Sequence, residues 1–292
     1  MSGSEIEKLI LSEGLPRSYL TVVDQYWQPL ADEIASRATA DGPLIVGVNG
    51  AQGSGKSTLC GFLEVLLTRR DVRAATLSID DLYLTRSERE ALGRELHPLF
   101  RTRGVPGTHA PGLGMAIIDK VRAGQSIDMP VFDKSIDDRS AAVKHVEGPL
   151  DVLLIEGWCV GARPQADEEL LDPVNDLEAD EDPEGIWRAV SNLWLRGEYA
   201  DFFSQLDMLV MLKVENFEAV LTNRRLQEKK LAAKNPDGPH LMDEQALERF
   251  CQHYERLTRH MLEDLPRRAD FVFEIDSKQV PKSLPAGLAM PG

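Results

Sequence analysis

A chain of 292 residues with 42% hydrophobic and 28% charged residues has the make-up of a soluble globular protein with a sizeable core. That excludes a fibrous, collagen-like or wholly disordered chain. Its 33 basic and 48 acidic residues leave a net charge of −15, which argues against sequence-independent nucleic-acid or anionic-membrane binding, since both need Lys/Arg surfaces. The three cysteines, Cys60, Cys159 and Cys251, have neither disulfide-framework nor metal-ligand spacing, and no apolar run nears the ~20 residues of a membrane helix. With no signal-peptide pattern at the start, the expectation is a cytoplasmic protein with no membrane or nucleic-acid partner. Nothing in the chain marks an oligomeric state.

In chain order, Leu20, Val23, Trp27, Leu30 and Ile34 recur at helical steps and predict an amphipathic helix from about Ser18 to Ala38. Asp41-Gly42-Pro43 breaks it. Leu44 to Val48 is a continuous apolar run, as in a strand buried on both faces, followed by a glycine-rich turn and a helix from about Lys56 to Thr68. Ala74 to Ile79 predicts a second strand, and Ser87 and Glu90 have capping-box spacing for a helix. Residues 97–114 are rich in glycine and proline and read as an irregular loop. A helix near Met115–Arg122 and a strand at Ile127–Phe132 come next. Val152–Ile155 and Met208–Val214 predict buried strands, Phe217–Ala232 and Asp243–Leu262 helices, and Phe271–Ile275 a last strand.

Strands alternating with helices predict an α/β fold, a mainly parallel sheet with helices on both faces. From Asp167 to Glu184 there are ten acidic residues and no basic one. This reads as a solvated, mobile insertion, the alternative being a docking surface for a basic partner. Trp187 and Trp194, in a predicted helix beside it, read as core residues.

Gly50-Ala51-Gln52-Gly53-Ser54-Gly55-Lys56-Ser57, followed by Thr58, fits G-x-x-x-x-G-K-[ST] between a buried strand and a helix. Glycines let backbone N–H groups turn onto phosphate oxygens, and the helix N-terminus adds partial positive charge. Lys56 is expected to reach the β- and γ-phosphates and the Ser57 hydroxyl to ligate Mg²⁺. Val152 to Glu156 is an apolar strand ending in an acid at the carboxyl edge of the sheet, where ligands of open α/β sheets gather. Glu156 is therefore a candidate metal-organising carboxylate. The second strand ends in Asp80-Asp81, so one of these two can orient or deprotonate an attacking hydroxyl.

GVNGAQGSGKST, SIDDLYLT, RGVPGTHAPG, PVFDKSIDDR, LLIEGW and NRRLQEKK together resemble the P-loop small-molecule kinases related to D-glycerate 3-kinase, with uridine kinase, phosphoribulokinase and pantothenate kinase as more distant relatives. The resemblance covers roughly residues 40 to 276. It implies a P-loop NTPase fold with a helical lid, ATP and Mg²⁺ as cofactors, and a small hydroxy acid as substrate. Asp80 falls at the position of the relatives' catalytic base and Glu156 at their strand-end glutamate near Mg²⁺, to which Ser57 and Asp80 are added as metal contacts. Asp81, Tyr83, Arg103, His109, Asp133, Lys134 and Arg139 fall in or beside segments expected to contact the acceptor. Arg224 or Arg225 resembles the lid arginine, the local pattern favouring Arg225.

The domain expectation is a helical extension over residues 1–40, a kinase domain over 41–276 with an acidic insertion at about 165–186, and a loose tail over 277–292. The expected reaction is ATP-dependent phosphorylation of a small hydroxy acid, with D-glycerate the best match. The alternatives are a nucleoside, pantothenate or sugar-phosphate kinase, or a regulatory ATPase.

Overall fold

The computed structural model describes residues 3–38, 42–234 and 243–289. Asp41 of the expected break and the last three residues of the expected tail lie outside them. Five strands form one parallel sheet: β1 (Leu44–Gly50), β2 (Ala74–Ser78), β5 (Val152–Gly157), β6 (Met208–Lys213) and β7 (Phe271–Glu274), in the order β2-β5-β1-β6-β7. Two further strands, β3 (Ile127–Asp133) and β4 (Asp138–Val146), pair antiparallel in a separate hairpin.

The continuous apolar runs of β1 and β5 exist because both faces of the sheet are covered. Val46, Val48, Val152, Leu154 and Val210 enter one core, and Ile45, Leu153, Ile155 and Met211 the other. Each such side chain contributes roughly 1.5–3 kcal/mol on burial.

On the first face lie α1 (Gly3–Ser12), α2 (Tyr19–Val22), α3 (Gln28–Arg37) and α4 (Lys56–Thr68). The predicted helix over 18–38 is present, with one π turn at Val23–Trp27 between α2 and α3. Trp27 meets Phe273 edge-on at 5.2 Å and Tyr19 stacks on Phe62 at 5.6 Å, so the extension is bound into the core.

The cap of α5 (Arg86–Glu95) corrects the sequence reading. Thr85 and Glu88 form the capping box, not Ser87 and Glu90. The glycine- and proline-rich segment is also more regular than expected. It holds a 3₁₀ turn at Pro98–Arg101, and α6 (Pro111–Arg122) begins with its proline at the first turn, where a missing N–H costs nothing.

The acidic segment is a second correction, because it is built into the fold. It contains α7 (Asp176–Glu181), and α8 (Ile186–Arg196) and α9 (Glu198–Phe203) follow it. Glu178 is fully buried, and Arg256 bridges its carboxylate at 2.8 and 2.6 Å. Buried Asp182 accepts from the backbone N–H groups of Trp187 and Arg188 and from the Arg188 guanidinium at 3.0 Å. Trp187 is core, as expected, and Trp194 packs on the same small cluster around Phe100.

α10 (Phe217–Lys234) and α11 (Glu244–Asp264) precede β7. After β7, Ile275 bridges to Pro281, and Val280, Leu284 and Leu288 pack on the core. The described part of the tail is thus docked rather than loose. No helix among the described residues is long and apolar enough to cross a membrane.

Candidate active site

β1, β2 and β5 point their carboxyl ends at a cavity of about 980 Å³. The loop after β1 supplies Gln52, Gly53, Lys56 and Ser57 to its floor. Gly55, at φ +91°, caps α4 in a left-handed conformation that side-chain-bearing residues rarely adopt, which turns the loop into the helix N-terminus. Gly50, Ala51 and Ser54 support this turn without lining the cavity. Thr58 faces away, its hydroxyl donating to Glu13 at 2.9 Å.

Glu156 closes the floor. Its Oε1 accepts from Ser57 Oγ at 3.0 Å, and Lys56 Nζ stands 3.8 Å from Oε2. Oε2 is buried and accepts no hydrogen bond among the described residues, an open acceptor beside a hydroxyl.

Asp80 lies across the cavity. Tyr83 donates its phenol to Oδ1 at 2.9 Å, and Lys134 donates to Oδ2 at 2.7 Å. Burial by itself pushes the Asp80 carboxyl up, but the charges of Lys134 and Lys56 outweigh it and hold the group down at about 2. Burial and the neighbouring Asp80 raise the Tyr83 phenol well above its ordinary value, so it stays a donor.

Asp81 takes a different role. Its Oδ1 accepts from Phe132 N at 3.0 Å and ties β3 to the end of β2, while burial raises its pKa. The structure thus divides the adjacent pair: Asp80 lines the cavity and Asp81 does not.

Of the other residues expected to contact the acceptor, Tyr83, Arg103 and Lys134 line the cavity, whereas His109, Asp133 and Arg139 do not. His109 is buried behind Tyr83, stacked on it at 4.5 Å, with Nδ1 2.7 Å from Tyr199 Oη. Burial lowers its pKa to about 4, so it is neutral near pH 7. Asp133 forms a local turn with Ser135, and Arg139 donates to the Tyr83 carbonyl at 2.8 Å.

On the helical wall, Arg224 lines the cavity and Arg225 does not. Arg225 pairs with Glu244 and Glu248, whereas Arg224 bonds Glu228 at 2.6 Å beside Phe250 and Tyr254. This reverses the sequence preference for Arg225.

Arg89, Arg101 and Asp137 were not anticipated. Arg89 is 1% exposed and donates to the Arg101 carbonyl at 2.8 Å and to Asp137. A signal existed: Arg89 and Gly93, four apart, take the buried face of a helix with few apolar residues.

Phosphate-loop floor, strand-end carboxylates and helical wall around one cavity define a P-loop kinase. No protein-family model matches the chain. It is 32% identical to the uncharacterized kinase mug58 of Schizosaccharomyces pombe over 226 residues, 73% of this chain and 78% of the relative. It is 30% identical over 225 residues to the chloroplastic D-glycerate 3-kinase of Arabidopsis thaliana, covering 73% of this chain and 46% of that longer protein. Among solved structures, D-glycerate 3-kinase from Cryptococcus neoformans superposes with a TM-score of 0.72 at 26% identity, covering 88% of this chain and 97% of that one. The chain belongs to this family of small-molecule kinases related to D-glycerate 3-kinase.

Proposed function

We propose that the protein transfers the γ-phosphoryl group of ATP to the hydroxyl of a small hydroxy acid, D-glycerate being the acceptor that fits best and 3-phosphoglycerate the product. The observation that carries this reading is the Asp80–Lys134 pair at 2.7 Å, facing the phosphate loop across one cavity. Two relatives whose names specify D-glycerate support the choice of acid.

Lys56, the loop N–H groups and Arg224 hold the triphosphate and spread the charge that develops on the transferring phosphoryl group. Ser57 Oγ and the open Glu156 Oε2 fit a hard cation that draws its other ligands from phosphate and water. Mg²⁺ bound there would neutralise phosphate charge. Asp80 is committed to Tyr83 and Lys134, whereas Glu156 Oε2 lies beside the Ser57 hydroxyl without a hydrogen-bond donor among the described residues, so we assign the cation to Ser57 and Glu156.

A carboxylate at about 2 is a weak base, so Asp80 orients the hydroxyl and takes its proton late. An acceptor carboxylate that draws Lys134 away frees Oδ2 and makes Asp80 more basic when the substrate arrives. The helical wall keeps water from the phosphoryl group.

A coupled ADP-release assay with Mg-ATP tests the reading against D-glycerate, L-glycerate, pantothenate, uridine and ribulose 5-phosphate. Stimulation by D-glycerate above the acceptor-free rate is expected. Stimulation by another acceptor alone reassigns the substrate, and a flat panel removes the kinase reaction in favour of a regulatory ATPase.

A further inference from the structure

Among the described residues, six cationic side chains line the cavity, and five have a carboxylate partner. Lys56 faces Glu156, Lys134 faces Asp80, Arg89 and Arg103 share Asp137, and Arg224 pairs with Glu228. The sixth, Arg101, makes no ion pair and no side-chain hydrogen bond among the described residues. In a chain of net charge −15, an uncommitted guanidinium in a cavity wall is an open anion receptor.

Its placement is built rather than accidental. Arg101 ends the 3₁₀ turn Pro98–Arg101, where fully buried Phe100 anchors the chain and Arg89 binds the Arg101 carbonyl. The Arg101 stem lies across α5 at Gly93. A Cβ there would collide with Arg101 Cγ and come within 2.9 Å of Nε. Glycine inside a helix is less favourable than alanine, and here it opens the groove that holds the arginine.

The position also selects the ligand. Lys56 of the phosphate loop and Arg224 of the helical wall are the cations assigned above to the triphosphate. Arg101 instead neighbours Arg89, which binds its carbonyl, and Arg103, two residues on; both of these pair with Asp137, three residues after Lys134. We propose that Arg101 is the acceptor-recognition residue, binding the carboxylate of the incoming hydroxy acid in a fork of two hydrogen bonds and so restricting the enzyme to anionic acceptors. This deepens the kinase reading above and rests on it.

The test compares wild type with Arg101→Gln and Arg101→Lys, using D-glycerate and its uncharged amide, D-glyceramide, in the ADP-release assay. Arg101 is exposed, and thermal unfolding checks that the variants remain folded. In Arg101→Gln, KM for D-glycerate should rise about 10- to 100-fold, the range for losing a hydrogen bond to a charged group. KM for ATP should hold, and the preference for the acid over the amide should collapse. Arg101→Lys should recover part of it.

An acid-to-amide preference kept in Arg101→Gln overturns the proposal, as does a rise confined to KM for ATP. If wild type phosphorylates no hydroxy acid, the hydroxy-acid reading fails by itself. Thermal stabilisation by D-glycerate then decides the Arg101 claim: loss in Arg101→Gln supports it, and equal or absent stabilisation in both proteins overturns it.

Discussion

Lys134 Nζ sits 2.7 Å from Asp80 Oδ2, on the oxygen that an acceptor hydroxyl would need. In the proposed reaction the pair is a resting state that the acceptor opens. Tyr83 holds the other oxygen at 2.9 Å, a contact that does not depend on Lys134.

The pair keeps Asp80 from titrating on the acid side of the working pH range. A folded-state value near 2, below the ordinary 3.8, keeps Asp80 ionised and adds stability above the unfolded value that is lost as pH falls through about 2. No acid limb from Asp80 should appear in kcat/KM between about pH 5 and 8. Lys134→Met removes the leading charge that lowers the group, so its acid limb should move upward. A limb that stays in place would show that Lys134 does not govern Asp80.

Asp80→Asn should lower kcat by about 10²–10⁴, the usual range for a positioned acid or base, with nucleotide affinity retained. Asp81→Asn should mainly lower stability, because Asp81 accepts from the Phe132 backbone and does not line the cavity. Stopped turnover in a folded Asp81→Asn, with Asp80→Asn active, would reverse the assignment.

Arg224→Ala should reduce turnover at saturating ATP, whereas Arg225→Ala should leave kcat within about twofold, since rim ion pairs like those with Glu244 and Glu248 are worth little. Equal kinetic loss in both variants would contradict the distinction drawn from the cavity wall.

Glu178→Gln leaves Arg256 buried without its counter-ion. The expected loss is about 3–5 kcal/mol in denaturant unfolding. A loss under about 1 kcal/mol would return the acidic segment to the role of solvated insertion.

The phosphate loop, the five sheet strands and the strand-end acids were legible because each is local. An apolar run ending in Glu156 or Asp80 has only one edge of a parallel sheet to reach. Arg224 against Arg225 was not legible, because neighbours on a helix differ by about 100° and the packing of α11 decides which one faces inward. The burial of Glu178 was hidden for a similar reason: its partner Arg256 lies 78 residues away. β4 escaped notice because its side chains are mostly exposed and carry no alternating apolar signal.

The most direct test of the central claim is phosphorus NMR of the reaction of wild-type protein with Mg-ATP and D-glycerate, beside Lys56→Ala and Asp80→Asn. 3-Phosphoglycerate and ADP should accumulate together in wild type, with both variants severely slowed. ADP accumulating with inorganic phosphate and no phosphoglycerate, or Lys56→Ala matching wild type, would contradict it.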